Sequence, residues 1–123
     1  MQGNPVCWFE IYVQDMPRAR AFYEGVLGTT LAKLDSGDLE MWAFPMDPEK
    51  PGSGGSLIRM PGCPSGGNGT LVYFACEDCA VEESRVAKSG GRVERPKFSI
   101  GQYGFVSLAV DTEGNMIGLY SRK

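Results

Sequence analysis

Residues 6–28 read VCWFEIYVQDMPRARAFYEGVLG. Val6–Val13 is an unbroken run of β-branched and aromatic residues, which predicts a strand. Asp15 offers a side-chain oxygen to the free N–H groups at a helix start, and Pro17 suits the first turn, where no N–H is needed. Ala19, Phe22, Tyr23, Val26 and Leu27 recur at i, i+3, i+4, i+7 and i+8, which predicts an amphipathic helix over Met16–Leu27 with one buried stripe. Gly28 supplies the left-handed residue that ends it.

The same frame returns 63 residues later without a gap: Trp8 falls on Leu71, Ile11 on Phe74, Val13 on Cys76, Asp15 on Asp78 and Gly28 on Gly91. In the first half, strands are expected near Thr30–Leu34, Leu39–Phe44 and Ser56–Met60, with a loop over Pro45–Gly55. The second half is expected to run as strand Thr70–Cys76, helix Cys79–Ser89 and strands near Arg92–Arg95, Gly104–Val110 and Met116–Ser121. Asp111–Asn115 reads as a hairpin turn. Each half is therefore strand, helix, three strands, and an internal duplication explains the match. The expectation is one α+β domain over residues 1–123: module one at about 5–60, a Gly/Pro-rich linker at 61–69, and module two at about 70–121.

A chain of 123 residues with 42% apolar and 22% charged residues is of globular type and long enough to bury a core. Its net charge of −3 gives no general drive toward nucleic acid or anionic membrane, and no apolar run reaches the roughly 20 residues of a spanning helix. The opening residues carry no basic-then-apolar leader, so a cytoplasmic location is expected. Histidine is absent, which excludes any mechanism that needs an imidazole. The Cys76-Glu77-Asp78-Cys79 motif lies between a predicted strand and helix, where a redox pair would sit. Its acidic spacer opposes thiolate formation, so packing cysteines are the better reading, and a zinc site lacks a second close pair beside Cys7 and Cys63.

FEIYVQDMPRARAFYEGVLG and the closing DTEGNMIGLYS resemble the opening strand–helix and last hairpin of the vicinal-oxygen-chelate superfamily, which includes glyoxalase I, bleomycin resistance proteins and extradiol dioxygenases. The resemblance covers about Pro5 to Ser121, and the NPVCWFEI opening is similar to that of proteins described as predicted enzymes related to lactoylglutathione lyase. It implies two βαβββ modules whose cupped sheets enclose a central cavity. In metal-dependent members, that cavity holds a divalent ion on His and Glu side chains. The resemblance carries those ligand positions onto Trp8, Leu71, Gly118 and a fourth near Ser56 or Ile58. None is a good donor to a hard cation. No metal or other cofactor is therefore expected.

Strand alternation assigns residues to the cavity side. The expected ligand-binding set is Trp8, Glu10, Tyr12, Leu71, Tyr73, Tyr103, Phe105, Met116, Gly118 and Tyr120, with Ala75 and Ser107 beside them. Phe9, Ile11 and Val13 are expected to face the helix. Such a cavity is aromatic with one carboxylate, Glu10, which suits a flat or cationic organic molecule. The alternative is a filled core, with Glu10 in water or paired with Arg59. Gly54-Gly55 and Gly66-Gly67 read as rims, Arg18 and Arg20 as solvated, and Lys97 and Gln102 as possible contacts at the cavity mouth. Three functions fit: a metal-free binding protein that sequesters a small molecule; a lyase or isomerase with Glu10 as general base and Tyr12 or Tyr73 as acid; or an inert scaffold. A homodimer is expected from the need to cover open sheet edges.

Overall fold

The computed structural model describes residues 3–50, 52–67, 69–112 and 114–123, and for Val26 the backbone alone. Met1, Gln2, the Val26 position of the predicted stripe, and Pro51, Asn68 and Glu113 within the predicted loops and turn lie outside the described residues.

The chain divides into two compact units, Trp8–Thr70 and Leu71–Lys123, the latter joined by the residues up to Cys7. Each is built on the βαβββ order, and the fold is α+β. The first half holds β1 (Val6–Tyr12), α1 (Met16–Leu27), β2 (Ala32–Lys33), β3 (Glu40–Ala43) and β4 (Gly54–Arg59). The second holds β5 (Thr70–Ala75), α2 (Cys79–Val86), β6 (Arg92–Ser99), β7 (Phe105–Val110) and β8 (Met116–Ser121). Within the first half β4 runs parallel beside β1, and β3 and β2 follow antiparallel. The second half repeats this: β8 lies parallel beside β5, and β7 and β6 follow antiparallel. Two halves with one unusual strand order are the structural counterpart of the repeat in the sequence.

The caps act as their residue types dictate. The Asp15 side chain accepts the Arg18 N–H at 3.0 Å and that of Asp78 accepts the Ala80 N–H at 3.0 Å, each satisfying a donor with no partner inside its helix. Gly28 stops α1 at φ 64°, a conformation that costs glycine nothing.

In Trp8–Thr70 the core is Val13, Met16, Leu31 and Leu57, with Ile11, Ala19, Tyr23, Trp42 and Phe44 packed against it. Ile11 and Val13 therefore face α1 as expected, and Phe9 joins them through its ring contact with Phe44. The helix stripe is narrower than its periodicity predicts. Phe22 and Leu27 are 59% and 58% exposed. A short sheet gives α1 too little surface to cover a stripe that wide.

Among the shifted strand bounds, β2 shortens to Ala32–Lys33 and β3 to Glu40–Ala43, and two others have a reason in their surroundings. β4 starts at Gly54, because the Trp8 and Phe9 rings lie over Gly54 and Gly55, where a Cβ would meet Trp8 Cζ3 at 3.1 Å and Phe9 Cζ at 2.5 Å. β6 continues through Pro96 to Ser99. A proline is tolerated there because β6 is bonded only to β7 within its unit and carries register shifts between Val93 and Arg95 and between Arg95 and Phe98.

Candidate functional site

Directly opposed residues on neighbouring strands share a face, so the registers assign each predicted site residue. In the first half Trp8 stands opposite Gly54, Glu10 opposite Ser56 and Tyr12 opposite Ile58, all on the face away from α1. Glu10 is 8% exposed, and Tyr12 donates its phenol proton to Glu10 Oε1 at 3.5 Å. Burial, the Glu10 charge and nearby Cys63 together hold the Tyr12 phenol well above the ordinary tyrosine range. Ser56 is fully buried, and its hydroxyl has no hydrogen-bond partner among the described residues. Arg59 is not a partner of Glu10. It stands opposite Glu40 on the other face and donates to the Gln14 carbonyl at 3.2 Å.

In the second half Tyr73 stands opposite Gly118 and Ala75 opposite Tyr120, on the face away from α2. The Tyr73 ring covers Gly118 so closely that a Cβ there would lie 2.5 Å from Cε1 and 2.9 Å from Cγ. Leu71 and Tyr73 are buried, whereas Met116 is exposed. Tyr103 sits in a short turn before β7, and its carbonyl accepts the Tyr120 phenol proton.

Phe105 does not belong to this face, nor does Ser107. β7 pairs Phe105 with Ser121 and Ser107 with Leu119, which turns both toward α2, and Val106, Leu108 and Val110 take their place. Two contacts fix that side: Ser121 Oγ accepts the N–H of Cys79 at the start of α2 at 2.9 Å, and Phe105 lies under Lys97 Nζ, which pairs with Asp78. The signal was in the sequence. A turn over Asp111–Asn115 makes Val110 and Met116 a pair, and counting back by twos from Val110 gives Leu108 and Val106.

Three charged residues also change role. Lys97 is a clasp rather than a contact at a cavity mouth: its Nζ pairs with Asp78 at 2.8 Å and its N–H donates to Glu83 Oε1 at 2.5 Å, tying β6 to α2. Arg20 is not solvated; its guanidinium stacks 3.5 Å above the Trp42 ring and pairs with Glu24 at 3.5 Å. Arg95 stands opposite Leu108, and so on the helix-free face, with its guanidinium 3.5 Å over the Phe98 ring. Plain alternation along the predicted strand does not reveal that cation, because register shifts on both sides of Arg95 set which face it takes.

Under the repeat, the fourth position that the resemblance carries over is the first-half counterpart of Gly118. Glu10 pairs with Ser56 as Tyr73 pairs with Gly118, so the position is Ser56. The four residues are thus Trp8, Ser56, Leu71 and Gly118. They offer one neutral hydroxyl, and Gly118 lies under a ring. That set does not fit a divalent ion, and no group of three or more Cys, Asp or Glu is gathered elsewhere among the described residues. The C-x-x-C pair also lacks redox character. Cys79 is buried, and burial together with Glu82 pushes the Cys76 thiol up to about 11. Grooves of ≈ 660 Å³ along residues 33–40 and ≈ 330 Å³ around Arg59 and Cys63 do not include Trp8, Glu10 or Tyr12.

Comparison with known proteins agrees with this architecture. Two curated relatives, both named "Putative glyoxylase CFP32", from Mycobacterium bovis and Mycobacterium tuberculosis, are 28% identical over 97% of this chain. The chain spans about half the length of these relatives, 46% in each case. Among solved structures, a hypothetical protein from Bacillus halodurans superposes with a TM-score of 0.73 at 14% identity, covering 99% of this chain and 96% of that one. A Streptomyces coelicolor methylmalonyl-CoA epimerase variant in complex with 2-nitronate-propionyl-CoA gives 0.67 at 16% identity, covering 95% and 93%. The epimerase from Mycobacterium tuberculosis gives 0.66 at 16% identity, covering 97% and 88%. At these identities the likeness is one of fold. The sequence profile of one family matches residues 6–119, nearly the full length of both modules. The chain belongs to the Glyoxalase/Bleomycin resistance protein/Dioxygenase superfamily.

Proposed function

We propose that the protein is a metal-independent small-molecule-binding member of this superfamily that sequesters a flat or cationic organic ligand, as bleomycin resistance proteins do. The carrying observation is Glu10, a nearly buried carboxylate on the face of its strand away from α1, flanked on that strand by Trp8 and Tyr12. An indole and a phenol beside a carboxylate give a cation two π faces worth about 0.5–2 kcal/mol each. The donor-poor set Trp8, Ser56, Leu71 and Gly118 supports independence from a metal. The reading includes Leu71, Tyr73, Met116, Gly118, Tyr120 and Tyr103 as apolar and phenolic ligand contacts, a cytoplasmic location and a homodimer. Light scattering showing a monomer at micromolar concentration would remove the last of these.

The test is a titration followed by Trp8 fluorescence, with Trp42→Phe removing the other indole. Aromatic cations should bind, and Glu10→Gln should weaken them. Because Arg95 places a cation on the second half's helix-free face, S-substituted glutathiones belong in the same series. If they bind and the cations do not, the ligand class is wrong. One stoichiometric Zn, Ni, Mn or Fe per chain, surviving Cys→Ser changes, would remove the metal-independent reading.

A second reading is a lyase or isomerase with Glu10 as general base. It is favoured by the Tyr12 phenol set against that carboxylate and by the fold shared with methylmalonyl-CoA epimerases. Proton exchange from an acyl-CoA into deuterated water, lost in Glu10→Gln, would establish it. Binding that survives Glu10→Gln without any such exchange would exclude it.

A further inference from the structure

β6 presents three side chains to the sheet face away from α2. Arg92 stands opposite Val110, Arg95 opposite Leu108 and Phe98 opposite Val106. The register shifts on both sides of Arg95 bring it there, since plain alternation from Arg92 would set Glu94 opposite Leu108 instead. The fully buried Ser107 fixes this irregular stretch by donating its hydroxyl proton to the Arg95 carbonyl at 3.3 Å. Arg92 is engaged by Glu94 at 2.9 Å. Arg95 is exposed and has no ion pair among the described residues.

A ring holds it instead. The Arg95 guanidinium lies 3.5 Å above the Phe98 ring. Stacking occupies the flat face of the cation and leaves its in-plane N–H groups, a rigid fork that matches the two oxygens of a carboxylate. None of those N–H groups meets an acceptor among the described residues. Beside the fork the face is apolar: Leu108 and Val110 are half-buried and Met116 is exposed. The row that starts at Arg95 passes through Leu108 to Gly118, on which the Tyr73 ring lies. With strands about 4.8 Å apart, that row covers about 10 Å.

We propose that this row binds a small aromatic carboxylate. The Arg95 fork takes the carboxylate, and Leu108 and the Tyr73 ring border the apolar body. One cation without a carboxylate partner matches one negative charge. A phosphate ester, which carries up to two, calls for a second cation, and the next one along β6 on this face, Arg92, already holds Glu94. The proposal goes beyond the function argued above and does not depend on it. That reading asks for a cation at Glu10 in the first half, this one for an anion at Arg95 in the second, and each can fail alone.

The test compares 2-naphthoate with 2-naphthamide, which share a shape and differ in charge, by ligand-observed NMR or calorimetry on the full chain at low salt. Wild type should prefer the naphthoate about tenfold. Arg95→Gln should remove that preference by weakening the naphthoate alone, and its Tm should match wild type, since no ion pair is lost. Arg95→Lys keeps the charge without the fork, so only about a twofold to threefold preference should remain. Phe98→Leu removes the ring that holds the guanidinium and should weaken the naphthoate about threefold while leaving the amide within about twofold. Arg18→Gln, on exposed α1 surface, should change neither probe. The proposal is overturned if wild type binds neither probe or both equally, or if Arg95→Gln keeps the preference. Naphthoate binding by Arg95→Lys as tight as in wild type would overturn the two-pronged contact. Equal weakening by Arg18→Gln and Arg95→Gln would make the effect one of net charge, and the site falls.

Discussion

Gly118 occupies the last-strand position to which the family resemblance carries a metal ligand, and the structure gives a reason why a side chain is excluded. Its backbone is not in the left-handed region, so alanine meets no conformational penalty there. The obstacle is the Tyr73 ring. A Cβ would stand 2.5 Å from Cε1 and 2.9 Å from Cγ, against the roughly 3.5–4.0 Å of a relaxed carbon–carbon contact. Cγ is anchored one bond from the Tyr73 Cβ, and Tyr73 is buried, so the ring cannot step back by rotating about its own axis. Overpacking of this kind costs about 1–3 kcal/mol. In a domain of this size that is about 4–12 °C in Tm. The assay is urea denaturation of Gly118→Ala, Tyr73→Leu and the double mutant. With leucine at 73 the alanine has no ring to meet, so the double mutant should lose less than the two single changes together, by about 1–2 kcal/mol. A Gly118→Ala protein as stable as wild type, or strict additivity, would refute the account. The open space for a metal ligand would then be real.

Further outcomes follow from the charged and sulfur groups. Tyr12 should ionise only above the ordinary phenol range, read by absorbance near 295 nm, and Glu10→Gln should bring its ionisation down. Because its folded-state pKa is raised, Tyr12 adds stability present below the ordinary phenol range and lost as pH climbs beyond it, and Glu10→Gln should soften that alkaline loss. Asp78, held below the ordinary aspartate range first by its hydrogen bond from Lys97, contributes stability present at neutral pH and lost as pH falls through the acid range. Asp78→Asn should flatten that acid limb while keeping the helix cap. With iodoacetamide at pH 8, Cys63 should label ahead of Cys7 and Cys76, whose thiols are raised by burial, and ahead of enclosed Cys79; rapid labelling of Cys76 would contradict its environment.

The sequence by itself determined the repeated strand–helix frame, because a cap, a period and a helix-ending glycine are local signals that no distant contact has to supply. Asp15, Asp78 and Gly28 act as their residue types require, and alternation on β1 placed Trp8, Glu10 and Tyr12 together. Tertiary structure decided what depends on register. A slip of one residue on β7 exchanges Phe105 for Val106; the predicted Asp111–Asn115 turn already carried the right register, and the observed pairing across it shows it. It also decided which of two equally plausible positions faces Glu10, giving Ser56 its place. The fates of Lys97, Arg20 and Arg95 were likewise illegible in the sequence, since a long charged side chain chooses among partners brought near by folding: a helix cap, an indole and a phenyl ring. The contrast between Tyr73 lying on Gly118 and Ser56 lying unpaired beside Glu10 is a property of facing strands. Neither strand encodes it alone.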